Sequence, residues 1–175
     1  MPFSDPKTVV DQFNLKEGMV VADFGTGSGA YALAMARRVG RSGRIYALEV
    51  QKEVLTKLER EVKTLGLDNI SIIWADLERS GGSKLADGTV DLVVVANLLF
   101  QVSAKYSLLL EAKRLLRREG KLVIIDWQDS FGGLGPIPDH VVTAAAAGEV
   151  AAQAGFRLVK EFPAGDHHYG LIFEK

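Results

Sequence analysis

The chain has no cysteine. It therefore has no disulfides, no thiolate metal ligands and no thiol nucleophile. Histidine is scarce. His140, His167 and His168 are the full complement, and their spacing matches no metal-ligand signature, so no metal is expected. Proline is also sparse, at 5 residues, and no proline-rich linker or internal repeat interrupts the chain. Charge of one sign is not in excess. Lys+Arg 21 against Asp+Glu 22 leaves a net charge of -1, unlike a strongly basic nucleic-acid binder. Long hydrophobic runs are missing too. The apolar stretches are strand-length and broken by residues such as Asp91 and Asn97, far short of the ~20 that span a bilayer. Met1, Pro2, Phe3, Ser4 and Asp5 supply neither a basic start nor an apolar signal core. These absences point to a soluble, cytoplasmic protein that uses neither a membrane nor nucleic acid.

What is present is an ordinary globular mix, 47% hydrophobic and 25% charged over 175 residues. That length fits one domain across 1–175. A chain of 19.0 kDa should expose about 8,400 Å² when folded. Two periodicities alternate along it. Short Val/Ile-rich runs at 20–24, 45–50, 70–74, 90–96 and 121–127 read as buried strands. Between them, 29–39, 52–65 and 103–118 place apolar residues at helical spacing. This pattern predicts an α/β fold: a Rossmann-like, doubly wound, mostly parallel sheet with helices on both faces. A short first helix is predicted over 6–13, with Asp5 as N-cap and Pro6 at its first position. An Ala-rich helix over 141–154 is closed by Gly155. The segments 157–162 and 169–174 then read as an antiparallel hairpin around a loop at 163–168.

The strongest local signal is Asp23-Phe24-Gly25-Thr26-Gly27-Ser28-Gly29, lying between a predicted strand and a predicted helix. The glycines allow a tight turn and a close ligand approach, with backbone N–H groups aimed at the ligand. Glu49, followed by Val50, ends the second strand and suits the two hydroxyls of a ribose. Asp76, with Leu77, follows the third strand and can take an adenine amino group. Asn97 follows the fourth. All fall on the carboxyl edge of the sheet, where ligands of open α/β folds bind. The spacing Gly25-x-Gly27-x-x-Ala30 also fits a dinucleotide loop. Asp23 opposes a pyrophosphate, however, and suits a ligand carrying an ammonium or sulfonium.

These residues resemble the class I S-adenosylmethionine-dependent methyltransferases. Asp23 to Gly29 looks like their first motif, Glu49 like their ribose-binding acid, and Asp76-Leu77 like their adenine-contacting pair. The likeness is closest to the small-molecule group of the ubiquinone/menaquinone-biosynthesis type. It implies a seven-stranded sheet with one antiparallel strand near the C-terminus, S-adenosyl-L-methionine as cofactor, and methyl transfer to a small-molecule acceptor. The implied cofactor site comprises Asp23, Phe24, Gly25, Thr26, Gly27, Ser28, Gly29, Glu49, Val50, Asp76, Leu77 and Asn97. Asn97-Leu98-Leu99-Phe100 lacks the prolines of members that methylate exocyclic amines. Arsenite methyltransferases resemble the group as well, but their cysteines have no counterpart here.

Basic residues gather at 37–44 and 113–121. In this topology both clusters fall at helix C-termini, on the edge away from the cofactor. Acids gather at the mouth, which favours a small, neutral or cationic acceptor over a polyphosphate. His140, His167 and His168, all in late loops, are the candidate catalytic residues, and the glycine-rich stretch at 128–139 reads as a lid. The chain is expected to act as a monomer or homodimer. Two other readings remain open from sequence: an NAD-dependent oxidoreductase-type dinucleotide domain, and a non-catalytic cofactor-binding subunit of a larger complex.

Overall fold

A computed structural model describes residues 4–175; the reading of residues 1–3 lies outside them. Seven strands form one sheet: β1 (Val20–Phe24), β2 (Arg44–Glu49), β3 (Ile70–Trp74), β4 (Val90–Ala96), β5 (Leu116–Trp127), β6 (Arg157–Gly165) and β7 (His168–Glu174). Their order is β3-β2-β1-β4-β5-β7-β6. β1 to β5 are mutually parallel, and β7 is antiparallel to both β5 and β6. The α/β fold with one antiparallel strand is therefore observed.

Alternation along each strand sends side chains to two cores. Val21, Ile45, Leu92, Val94 and Ile125 meet α1 (Pro6–Val9), α2 (Ala30–Val39) and α3 (Lys52–Thr64). Ala22, Leu48, Val93, Val95 and Ile124 meet α4 (Lys105–Leu115) and α5 (Ala144–Gln153). Both faces are covered, which is why these strands read as continuous apolar runs rather than as alternation.

Several boundaries differ from the sequence expectation, most by a residue or two, and the larger departures have physical causes. The helix predicted to 118 stops at Leu115, because Leu116 is fully buried and pairs with Val90 at the start of β5. A register shift between Val90 and Leu92 then lets the chain bulge before pairing resumes at Lys121. The predicted 163–168 loop shrinks to a tight turn, since β6 continues through Pro163 to Gly165. Pro163 is tolerated there because β6 is an edge strand. The Ala-rich helix begins at Ala144, where the Thr143 hydroxyl accepts from the Ala146 N–H. The first helix keeps Asp5 as its cap but turns into a 3₁₀ helix over Val10–Phe13. No helix among the described residues is long and apolar enough to cross a membrane.

Candidate functional site

The loop joining β1 to α2 carries three left-handed glycines, Gly25, Gly27 and Gly29. Their reasons differ. A methyl on Gly25 would lie 2.8 Å from Leu98, and one on Gly29 would lie 2.2 Å from Leu58. Those two glycines are demanded by packing. Gly27 meets nothing nearer than the Gly25 carbonyl at 3.9 Å, so it alone of the three opens onto free space. Beneath the loop, Asp23 is 2% exposed and accepts from the Thr26 hydroxyl at 2.6 Å. Burial pushes its carboxyl up to about 6; Thr26 and the Ala32 backbone pull down, and the charge of Glu49 adds to the rise. At the start of α2 the Tyr31 hydroxyl lies 2.6 Å from Ser4 Oγ, and burial pushes it up to about 12.

Glu49 is held at the end of β2 by three backbone amides. Val50 and Gln51 donate to one oxygen at 2.8 and 3.1 Å, and Gly27 donates to the other at 3.2 Å. The carboxylate borders a cleft of about 260 Å³ with Gly25, Val50, Asp76, Leu77 and Leu98. The structure thus gathers Gly25, Glu49, Asp76 and Leu98 at this cleft from four strand ends, while Asp23, Gly27 and Asn97 do not line it. Asp76 is paired with Arg79 at 2.9 Å. Phe24 is buried in the core below the loop, whereas Ser28 is exposed. Leu98 was missed by sequence reasoning. Its only signal is its place just after β4, and its contact with Gly25 exists because β4 lies beside β1.

Asn97 follows β4 in the left-handed region at φ 53. Its N–H donates to the Ile125 carbonyl, while its buried Oδ1 has no partner. Asp126, fully buried on β5, accepts from Leu99 N–H at 2.9 Å and from Trp127 N–H at 2.8 Å. Burial pushes it up to about 6, against those amides. It therefore fixes the turn that carries Asn97 and Leu98.

The structure does not gather the three histidines. His140 is exposed on a 3₁₀ turn and lines a second cleft, of about 430 Å³, with Phe100, Val102, Lys105 and Val142. His167 Nδ1 meets the Asp129 carboxylate at 2.9 and 3.1 Å, and its ring stacks on Phe131 at 3.9 Å. His168 is 3% exposed and lies 4.3 Å from the Trp127 ring.

The methyltransferase-domain family model matches residues 15–163. The chain belongs to this family. A SAM-dependent methyltransferase from Aquifex aeolicus superposes with a TM-score of 0.90 at 32% identity, covering 98% of this chain and 90% of that one. An arsenite methyltransferase from Aquipseudomonas alcaligenes is 34% identical over 117 residues, which is 64% of this chain and 34% of the relative. A demethylmenaquinone methyltransferase from a Geobacillus species is 28% identical over 115 residues, or 66% of this chain and 48% of the relative. The chain spans between 30% and 49% of the length of the curated relatives it matches. Membership sets aside the dinucleotide-oxidoreductase reading. The methyl donor of the family is S-adenosylmethionine, and the residues fit it. The cleft beside Glu49 suits a nucleoside, Gly27 leaves room for close approach, and Asp23 and the orphaned Asn97 oxygen are acceptors suited to a cationic end.

Proposed function

We propose that the chain transfers a methyl group from S-adenosylmethionine to a small, neutral or cationic acceptor. The observation that carries this is the Glu49 carboxylate, fixed by three amides, one of them from Gly27, at the rim of a cleft shared with Gly25, Asp76 and Leu77. In this reading Asp23 and the backbone of Gly25, Thr26, Gly27, Ser28 and Gly29 hold the methionyl end, with Phe24 as the buried footing of the loop. Glu49 takes the ribose hydroxyls. Val50, Asp76 and Leu77 enclose the adenine, and Asn97 stands beside the reacting methyl. When bound, the cofactor supplies an electrophilic methyl on a sulfonium. The chain's own part is to align the acceptor and keep water out. Acids at the mouth, Asp23, Glu49, Asp76 and Asp129 among them, oppose polyphosphates. His140, beside its own cleft of about 430 Å³, and His167 and His168, at the β6–β7 turn, are the candidate catalytic residues, and they act from separate positions. We further place the protein in the cytoplasm, as one domain over residues 1–175 working as a monomer or homodimer, without nucleic acid or membrane.

Titration calorimetry with S-adenosylhomocysteine tests the cofactor site, and NAD serves as the control. Saturable binding of S-adenosylhomocysteine but not of NAD supports the proposal. Preference for NAD, or no binding, would sink it. Product binding together with a co-purifying partner and no turnover of any small acceptor would favour the non-catalytic subunit.

A further inference from the structure

At the amino ends of the strands, opposite Glu49, the described residues form a hollow of about 480 Å³, nearly twice the volume of about 260 Å³ beside Glu49. That size falls in the range of about 300–1,000 Å³ usual for small-molecule sites. A wide bulge in β5 builds one wall. Val90 pairs with Leu116 and Leu92 with Lys121, so residues 117–120 stand against Asp91 alone. The bulge is fastened rather than loose. Asp91 accepts from the Val20 N–H and from Arg117. Lys175 donates its N–H to the Gly120 carbonyl and its ammonium to the Leu116 carbonyl. Gly120 is buried, and a methyl there would lie 2.9 Å from the Leu116 side chain. The turn leading into β1 builds the other wall. Asn14 sits there in the left-handed region at φ 55, and the Lys16 N–H donates to the Met19 sulfur. Phe13, Met19 and Leu92 supply the apolar lining.

Four cations line this hollow, Lys16, Arg117, Arg118 and Lys121, against two carboxylates, Asp91 and Glu119. Asp91 is already committed to Arg117 and the Val20 N–H. Lys16, Arg118 and Lys121 pair with no carboxylate among the described residues. Compensation of a helix C-terminus accounts for Lys113 and Arg114, in the last turn of α4. It does not account for Lys16, on a turn, or for Lys121, on a strand. Behind the bulge, Arg114 is bonded to Glu111 and Asp87, and Lys175 to the Leu116 carbonyl. A surplus of two positive charges therefore belongs to the hollow itself. Unrelieved like charges raise the energy of the empty protein, and a counter-charge entering the hollow removes that cost.

We propose that this hollow is a second ligand site, and that it takes the phosphate monoester of a small organic molecule. A dianion matches the surplus charge. Arg118 offers a planar fork to two phosphate oxygens, while Lys16 on one wall and Lys121 on the other add point charges. The organic body lies on the apolar lining of Phe13, Met19 and Leu92. An occupied site bridges the segment before β1 to the start of β5, so the ligand stabilises the sheet at its amino edge. The site lies at the strand ends away from Glu49, and it stands whether or not the methyl-transfer reading does.

The test uses the full chain, with and without S-adenosylhomocysteine. Phenyl phosphate, phenyl sulfate and inorganic phosphate are titrated by calorimetry at low salt. Phenyl phosphate should bind saturably, one molecule per chain, and raise the melting temperature. It should bind about tenfold more tightly than phenyl sulfate, which has the same shape and one charge fewer. It should also bind more tightly than inorganic phosphate, which lacks the ring. The preference over the sulfate should fade below about pH 6, as the phosphate takes up its second proton. S-adenosylhomocysteine should leave these affinities unchanged, because it fills a different cleft. Arg118→Ala with Lys121→Ala should abolish the preference for phosphate while thermal melting shows the fold kept. Lys16→Gln, on the other wall, should weaken phenyl phosphate about threefold or more, and it provides the reading if the double variant fails to fold. Equal affinity for phosphate and sulfate, competition by S-adenosylhomocysteine, or binding unaltered in both variants would each overturn the proposal. Tighter binding of a short single-stranded RNA without a terminal phosphate would overturn it too, by assigning the surface to nucleic acid.

Discussion

Among the described residues Asp23 meets the Thr26 hydroxyl and the Ala32 backbone, and burial pushes its carboxyl up to about 6. A ligand with an ammonium group binds the ionised form. Affinity for S-adenosylhomocysteine should therefore be full above pH 6 and fall below it, by up to about tenfold per pH unit. Calorimetry across pH 5–8 checks this. Asp23→Asn should flatten the profile, and a flat wild-type profile would refute the assignment. For stability the sign is opposite to that of a salt-bridged acid. A carboxyl raised above its ordinary 3.8 contributes stability below about pH 4 that is lost as pH rises through about 6. Asp126, also raised to about 6, adds to the same trend. Asp23→Ala and Glu49→Ala should each weaken product binding by about tenfold or more, each removing a charged partner of the ligand. The glycines separate packing from binding. Gly29→Ala drives a methyl into Leu58 at φ 81 and should lower stability by about 2–4 kcal/mol. Gly27→Ala has space around it and should lose cofactor affinity instead, a contrast read by thermal melts beside calorimetry. Asp23 and Glu49 were legible because charged residues at strand ends carry chemistry. Leu98 was not, because a leucine announces nothing and its role over Gly25 depends on a strand pairing across some seventy positions.

At the scale of elements, β1, β3 and β4 run over the residues their Val/Ile content predicts. Where sequence and structure part, one residue satisfies two patterns. Leu116 continues the helical spacing of Leu109, and only its pairing with Val90 makes it a strand residue. Pro163 reads as a loop until its neighbour is known to be an edge. The helix α4 holds a device that no motif signals. Glu111 has a fully buried side chain, bonded to Gly81 N–H, to Ser83 N–H and hydroxyl, and to Arg114. Those bonds hold its carboxyl down at about 2. They tie the connection between β3 and β4 to α4, and Glu78 on that connection accepts from Ala104 N–H, just before α4, at 2.6 Å. Glu111→Ala leaves the Gly81 and Ser83 amides unpaired and removes one of the two carboxylates on Arg114, Asp87 remaining, and should cost about 3–5 kcal/mol. Chemical denaturation measures it, and a loss below 1 kcal/mol, well under that range, would show the network to be dispensable.

The whole molecule divides its charge. The cleft beside Glu49 opens at the carboxyl ends of the strands. The hollow lined by Lys16, Arg117, Arg118 and Lys121 lies at their amino ends, beside the starts of β4 and β5. Among the cations at 113–121, three have structural partners: Lys113 reaches the carbonyls that end α5, Arg114 meets Glu111, and Arg117 meets Asp91. Arg118→Ala with Lys121→Ala should leave product affinity within about twofold, since remote sites act independently. A larger loss in calorimetry would show that the two edges communicate. The exposed surface of 8825 Å² is near the ~8,400 Å² that mass alone predicts. Size and layering were thus readable from composition and period, whereas the pairing of each cation required the folded chain.

The position of β7 has a further consequence. It sits between β5 and β6, and β6 touches the sheet only through it. A nascent chain that has emitted β6 but not residues 168–174 has nowhere to dock that strand, and β5 presents a bare edge. Until then the chain offers chaperones an open template, and truncation before residue 168 would release β6 as well as bare the edge of β5. The sheet closes in a single late step during synthesis.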